Sequence, residues 1–281
     1  MGDMSSFLVD WITRMDEETT RILQTEKSMC EFFDYLLRER SNHTVCNKIM
    51  IRAYCPEAAD VRPKEVWEQS GVTITKPDEA IWTLRYWGKY WGCQPQLEYD
   101  ISATSAAGAE IPSDQILSDH LVELLVADPF VKLVFFKGES TLKAYYNAEK
   151  KIITYTGGFK TYDEVCSRLI REYVHYLTHR DDYLWQNLEW KNTGMEGPQP
   201  PYQYPRGKYN AIANIALYLA EKRYGIKISD QRFQPNFSSL REARVVFQSA
   251  ISAADRIHYH IMDIERRLNT PEDTEEAEGG T

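Results

Sequence analysis

The stretch Arg171-Glu172-Tyr173-Val174-His175 decides how this chain is read. Residues four apart on a helix share a face, so His-Glu-x-x-His sets two imidazoles against one metal ion. The Glu between them activates metal-bound water. Glu172 and His175 stand at that spacing, but Arg171 occupies the place of the first His. A guanidinium is always cationic, carries donors and no acceptor, and cannot ligate zinc. Taken alone, five such residues arise by chance far more often than by descent.

The flanks narrow the choice. Lys151 to Thr156 alternates and is rich in β-branched residues, which predicts a strand ended by Gly157-Gly158. Val165, Leu169, Ile170, Tyr173, Val174 and Leu177 then recur at helical spacing. Strand, short loop and motif-bearing helix is the order of a zincin core.

The chain has 281 residues, enough for one or two domains, and 43% hydrophobic content with 12% aromatic is ample for packed cores. No apolar run approaches the roughly 18–20 residues that span a bilayer. Met1 to Asp10 lacks the basic and apolar regions of a secretory signal, so a cytoplasmic protein without a membrane partner is expected. Five cysteines, Cys30, Cys46, Cys55, Cys93 and Cys166, show no C-x-x-C spacing and read as reduced thiols. The net charge of −9 is uneven: residues 1–110 carry 12 basic and 18 acidic side chains, residues 111–270 carry 21 and 19, and 271–281 carry five acids. This is not the basic stripe of an electrostatic nucleic-acid binder.

Along the chain, Met1 to about Arg40 is helical in pattern. A short apolar helix follows at Ile49-Met50-Ile51, and another is closed by Trp67 and Gly71. Strands are predicted at Val72–Thr75, Ala80–Tyr86 and Leu97–Ser102. The small, polar run 105–113 marks a domain boundary. Ile116–Val126 reads as a helix, and Val131–Phe136 and Ala144–Tyr146 as strands leading to 151–156. Asn192 to Lys208, with four Pro and three Gly, reads as a loop. Helices follow over Tyr209–Arg223, stopped by Gly225, and over Ser238–Leu268. The expectation is an α+β fold of two domains, 1–105 and 114–269, with a disordered acidic tail at 270–281.

Several small matches together resemble the ArdC-like antirestriction proteins and their LtrC-like relatives. They are His43-Thr44-Val45-Cys46-Asn47-Lys48-Ile49-Met50-Ile51, Pro56 to Val61, Trp67 to Gly71, Lys76 to Ile81, and Asp100-Ile101-Ser102-Ala103-Thr104. Their order and spacing carry the likeness. The resemblance implies an N-terminal single-stranded-DNA-binding-type domain joined to a C-terminal zincin-like metallopeptidase domain. It aligns the family's His-Glu-Leu-x-His with Arg171 to His175. The family's Glu-x-x-x-Glu, counted back from Gly225, falls on Asn210 and Asn214. Arg171, His175, Asn210 and Asn214 therefore mark a vacated metal site with no cofactor, and Glu172 is catalytic only in an active enzyme. The alternative is an active zinc peptidase using His175 and His179 with a third, unidentified ligand.

The resemblance further implies an anti-defence protein of a mobile element or phage, whose partner is single-stranded DNA or a host defence protein. It places His43, Asn47, Lys48, Lys76, Arg85 and Lys89 nearest to DNA. The aromatic run from Trp82 through Trp87 and Trp91 reads either as a stacking platform or as the apolar face of a hairpin. Within the vacated site Arg171 is expected to pair with Glu172 or a neighbouring carboxylate, with Asp181-Asp182 as candidates.

Overall fold

The computed structural model describes residues 4–87, 92–109, 131–138, 143–192, 205–226, 233 and 236–269, with side chains described up to 85 in the first range, from 93 in the second, up to 181 in the fourth and up to 267 in the last. Among these the chain is α+β, with seven α-helices and two three-stranded sheets. It divides into two compact units, 1–115 with 230–250, and 116–229 with 251–281. The helix expected at 116–126, Lys89 and Trp91 of the aromatic run, and the acidic tail lie outside the described residues. No described helix is long and apolar enough to cross a membrane.

The first unit begins with helices α1 (Met4–Leu23), α2 (Glu26–Arg38) and α3 (Val45–Tyr54). The region expected to be helical to about Arg40 is two helices, divided at Thr25. There the hydroxyl of Thr25 accepts from Ser28 N and the hydroxyl of Ser28 accepts from Thr25 N, a reciprocal cap that starts a new helix. Trp11, Met15 and Ile22 of α1 and Met29, Phe32, Phe33 and Leu36 of α2 face the core. Phe32 and Phe33 lie 5.7 and 5.5 Å from the ring of Phe247, near the start of helix α7 (Leu240–Asn269). Rings at such distances gain about 0.5–1.5 kcal/mol beyond their area burial.

Strands β1 (Val61–Pro63), β2 (Ile81–Trp87) and β3 (Gly92–Asp100) form an antiparallel sheet in the order β1-β3-β2. β2 and β3 pair antiparallel, with Trp87 opposite Gly92. Helix α4 (Lys64–Gln69) ends at Gly71, whose φ of 75° lets Val72 N reach Trp67 O at 2.9 Å and Gly71 N reach Glu68 O at 3.0 Å. The strand expected at Val72–Thr75 is replaced by one bridge, Ile74 to Thr104. Its alternation is genuine, but Val72 N is taken by that helix end, and Thr75 N and Lys76 N both donate to Ala103 O, so no ladder forms. The third expected strand starts earlier, at Gly92, and stops at Asp100. One oxygen of that carboxylate accepts from Ala59 N and Asp60 N at 2.8 and 3.1 Å. The other accepts from Ser102 N and its hydroxyl at 3.0 and 2.6 Å. The Asp-Ile-Ser stretch is a turn held by one carboxylate.

In the second unit β4 (Lys132–Phe136) pairs parallel with β6 (Ile152–Thr156), which pairs antiparallel with β5 (Ala144–Asn147). Helix α5 (Tyr162–Asn192) carries the motif and packs on β5 and on α6 (Arg206–Arg223). Ile212, Ala213 and every residue from Ile215 to Glu221 in α6 are buried, so the helix is a central element rather than an amphipathic cover. It ends at Gly225, where φ is 65° and Ile226 N bonds Glu221 O.

Glu221 is wholly buried and accepts from the Ser167 hydroxyl on α5. Burial pushes its carboxyl up to about 7 from 4.5, with Asp163 adding to the rise and the Ser167 bond opposing it. The folded state therefore holds a proton that the unfolded chain releases between these values. That stabilisation is complete below about pH 4.5 and lost as pH rises through about 7. Relative to Glu221→Gln, the protein is expected to lose about 3 kcal/mol of stability between pH 4 and pH 8. Urea unfolding of both chains at the two pH values measures it, and a difference independent of pH would refute it.

Candidate functional site

The motif residues meet α6 in a polar cluster. Arg171 Nε lies 3.3 Å from Asn214 Oδ1 and its Nη2 lies 3.1 Å from Asn210 Oδ1. The two asparagines are one turn apart, so both amides face α5. Glu172, 3% exposed, sits at the centre. It accepts from Tyr146 N of β5 at 2.7 Å, and both its oxygens lie 2.6 Å from Arg206 Nη2. Arg171 Nη1 is 3.5 Å from the same carboxylate. The guanidinium of Arg206 stacks over the Tyr145 ring at 4.7 Å. His175 is completely buried, and His179 Nδ1 lies 2.7 Å from the Tyr146 hydroxyl.

The structure thus brings Arg171, Glu172, His175, Asn210 and Asn214 together. Asp181 does not join them: its carboxylate pairs with Arg256 at 2.5 Å, correcting the expectation that it serves Arg171. The side chain of Asp182 lies outside the described residues. Sequence reading also misses Arg206, Tyr145 and Tyr146. One signal was present. Arg206 follows Pro205 and opens α6, where a positive charge opposes the helix dipole and needs an anion to hold it.

Electrostatics set the roles. Burial drives the His175 imidazole down to about 3, Arg206 and Arg171 drive it the same way, and a hydrogen bond with Asn210 opposes them. His175 is therefore neutral near pH 7, well below the range of a poised general base. Burial also pulls the Arg171 guanidinium below its ordinary value, which Glu172 counteracts. Glu172 is no free base either, since both oxygens are held by Arg206.

These residues do not fit a divalent cation. A zinc site needs three or four N, O or S donors that offset its charge. Here the carboxylate of the cluster is engaged by two guanidiniums, and one of them bonds both asparagines. Among the described residues no group of three His, Cys, Asp or Glu side chains is disposed to hold a metal ion. The pair His175 and His179 gains no third ligand from them.

The residues expected near DNA lie in the first unit and divide in two. His43, Asn47 and Arg85 line a cleft of about 630 Å³ that Arg40, Arg62, Asp60 and Glu98 also line. His43 Nε2 lies 2.7 Å from Glu98 Oε2, and Arg62 grips Asp60 through two bonds of 2.8 and 2.5 Å. Asn47 is structural as well: its amide donates to Leu84 O and accepts from Leu84 N, both at 2.9 Å, tying α3 to β2. Lys48 and Lys76 are not on that cleft. Lys48 is buried with its Nζ 2.5 Å from Glu39 Oε2, and Lys76 pairs on the surface with Glu79 at 3.2 Å. Trp82 is 37% exposed and meets Phe7 edge-on at 5.5 Å, while nothing is described of the side chain of Trp87.

No protein-family model matches this sequence, and no curated protein matches it. Solved structures do. The metal-free crystal structure of the antirestriction protein ArdC from plasmid R388 superposes with a TM-score of 0.52 at 12% identity, covering 90% of this chain and 98% of that one. The Mn(II)-bound structure of the same protein gives 0.50 at 12% identity, with 89% and 97% covered. Over nine-tenths of its length, then, this chain has the fold of the ArdC antirestriction protein.

Proposed function

We propose that this chain is an antirestriction protein that acts by binding and not by hydrolysis, its C-terminal unit being a zincin-like domain that has lost its metal. The antirestriction part rests on fold likeness across nearly the whole chain. One observation carries the non-hydrolytic part. Arg171 lies on both asparagines at the positions that the resemblance gives to metal ligands, while Arg206 holds Glu172 by both oxygens. Two cations stand where a metal and a free base would be needed.

The test runs in cells and on the purified protein. Unmodified plasmid is introduced into a restriction-proficient host with and without this chain. Expression is expected to raise the yield of transformants toward that of a fully methylated control, and an unchanged yield would reject the antirestriction reading. Purified chain is expected to carry well under one zinc or manganese per molecule by elemental analysis. About one per chain, lost in His175→Ala, would favour the peptidase reading with His175 and His179.

Single-stranded DNA is the ligand proposed for the first unit, with the cleft at Arg40, His43, Arg62 and Arg85 as its seat. Because residues 1–110 carry six more acids than bases, few phosphates can be neutralised. Binding should be weak and drop about tenfold between 50 and 200 mM salt, as roughly two or three phosphate contacts predict. Arg85→Ala should weaken it and Lys76→Ala should not. Fluorescence anisotropy with a labelled oligonucleotide measures both, and tight binding insensitive to salt would contradict the assignment.

A further inference from the structure

The cluster around Glu172 holds two guanidiniums and one carboxylate. Arg206 and Arg171 lie 2.6 and 3.5 Å from the same oxygen, Oε1. With Glu172 ionised the three side chains sum to one positive charge, and the asparagines add no charge. Arg171 finds acceptors in Asn210 and Asn214, but Arg206 Nη1 is buried and has no hydrogen-bond acceptor among the described residues. A buried guanidinium nitrogen without an acceptor is costly and marks a place where a ligand oxygen belongs. The Tyr145 ring, 4.7 Å away, backs the guanidinium of Arg206 with an aromatic face. Both arginine side chains are 24% exposed, while Nη1 of Arg206 is covered, so a ligand oxygen reaches that nitrogen only as neighbouring side chains give way. Next to Arg206, Gly207 leaves open space: a Cβ there would meet nothing within 4 Å.

From this geometry we infer that the cluster is an anion-binding site, taking a carboxylate or phosphate group on Arg206 and Arg171. Glu172 acts as the internal anion that holds the two guanidiniums ready and competes with the ligand. A place that suits a cation in a zincin thus selects the opposite charge here. The guanidinium fork suits both oxyanions, because each presents two oxygens to parallel N–H donors. The site can fail while the antirestriction reading stands, and the reverse.

The experiment is calorimetric titration of the full chain, in low-salt buffer, with inorganic phosphate in one arm and succinate in the other. One site per chain is expected in at least one arm, and the stronger arm identifies the group. Arg206→Met should weaken that binding about tenfold or more, and Arg206→Lys should restore only part of it, since it keeps the charge and loses the fork. Glu172→Gln should tighten it about tenfold by removing the competing carboxylate. Circular dichroism confirms that each variant is folded, and if Glu172→Gln is not, the two Arg206 variants decide alone. Absence of binding in both arms overturns the inference. So does binding that Arg206→Met leaves unchanged, or a folded Glu172→Gln that binds no tighter.

Discussion

Arg171→His combined with Asn210→Glu and Asn214→Glu is expected to turn a chain purified without stoichiometric zinc into one that holds about one zinc per molecule. Arg171 bonds both asparagines at 3.1 and 3.3 Å, so the three side chains already share one place. The triple change puts an imidazole and two carboxylates there, beside the neutral, buried imidazole of His175. That set meets the ligand count and charge a zinc ion requires. Elemental analysis reads the metal, and a rise in melting temperature on adding zinc, reversed by chelator, reads its coupling to the fold. Asn210→Glu and Asn214→Glu without the change at Arg171 should bind none, because the guanidinium would pair with the new carboxylates. A folded triple variant that takes up no zinc would remove these positions as heirs of a metal site, whatever the fold.

Glu39→Ala should destabilise the protein by about 3–5 kcal/mol, because it strands a buried cation. Lys48 Nζ lies 2.5 Å from Glu39 Oε2 and 3.1 Å from Glu39 O, with 9% and 0% of the two side chains exposed. The same carboxylate also accepts from Ser41 N and from its hydroxyl. Replacing both partners, Glu39→Leu with Lys48→Met, should cost much less than Glu39→Ala, since no charge is left unmatched. Urea unfolding of the three chains measures this, and a loss under about 1 kcal/mol for Glu39→Ala would refute the buried pair. The double variant also separates two roles for Lys48. If the lysine is structural, the folded double variant keeps its affinity for single-stranded DNA.

Lys48 shows why part of the site was illegible. In sequence it is a lysine beside Asn47 in a segment that resembles a DNA-binding one, and nothing local reveals that Glu39 lies against it. Asn47 is similar, as its partner is the backbone of Leu84, thirty-seven residues on. Glu172 and Arg206 stand thirty-four residues apart, across a Pro- and Gly-containing segment whose length says nothing of where α6 begins. By contrast, Arg171 with Asn210 and Asn214 could be named together because the family resemblance supplies the pattern that links them. The motif aligns the first position, and the family's Glu-x-x-x-Glu, counted back from Gly225, aligns the others; the structure brings the three side chains together.

Local chemistry, then, determined the elements. Hydrophobic period and glycines placed α5, α6 and α7, strand β2, the end of β3, and strands β4 to β6. Those signals come from backbone geometry and side-chain spacing within a few residues. They also stated the charge paradox of an arginine at a ligand position. Tertiary structure alone decided which charges are paired inside the fold and which stay at its surface. It buried Lys48 against Glu39, gave both oxygens of Glu172 to Arg206, turned Val72–Thr75 away from a ladder, and packed Phe247 of α7 against Phe32 and Phe33. The physical reason is one of range: a periodic pattern reports what a residue does with its own neighbours. The fate of a charged or amide side chain depends on desolvation and on partners that only the folded chain brings within about 3 Å.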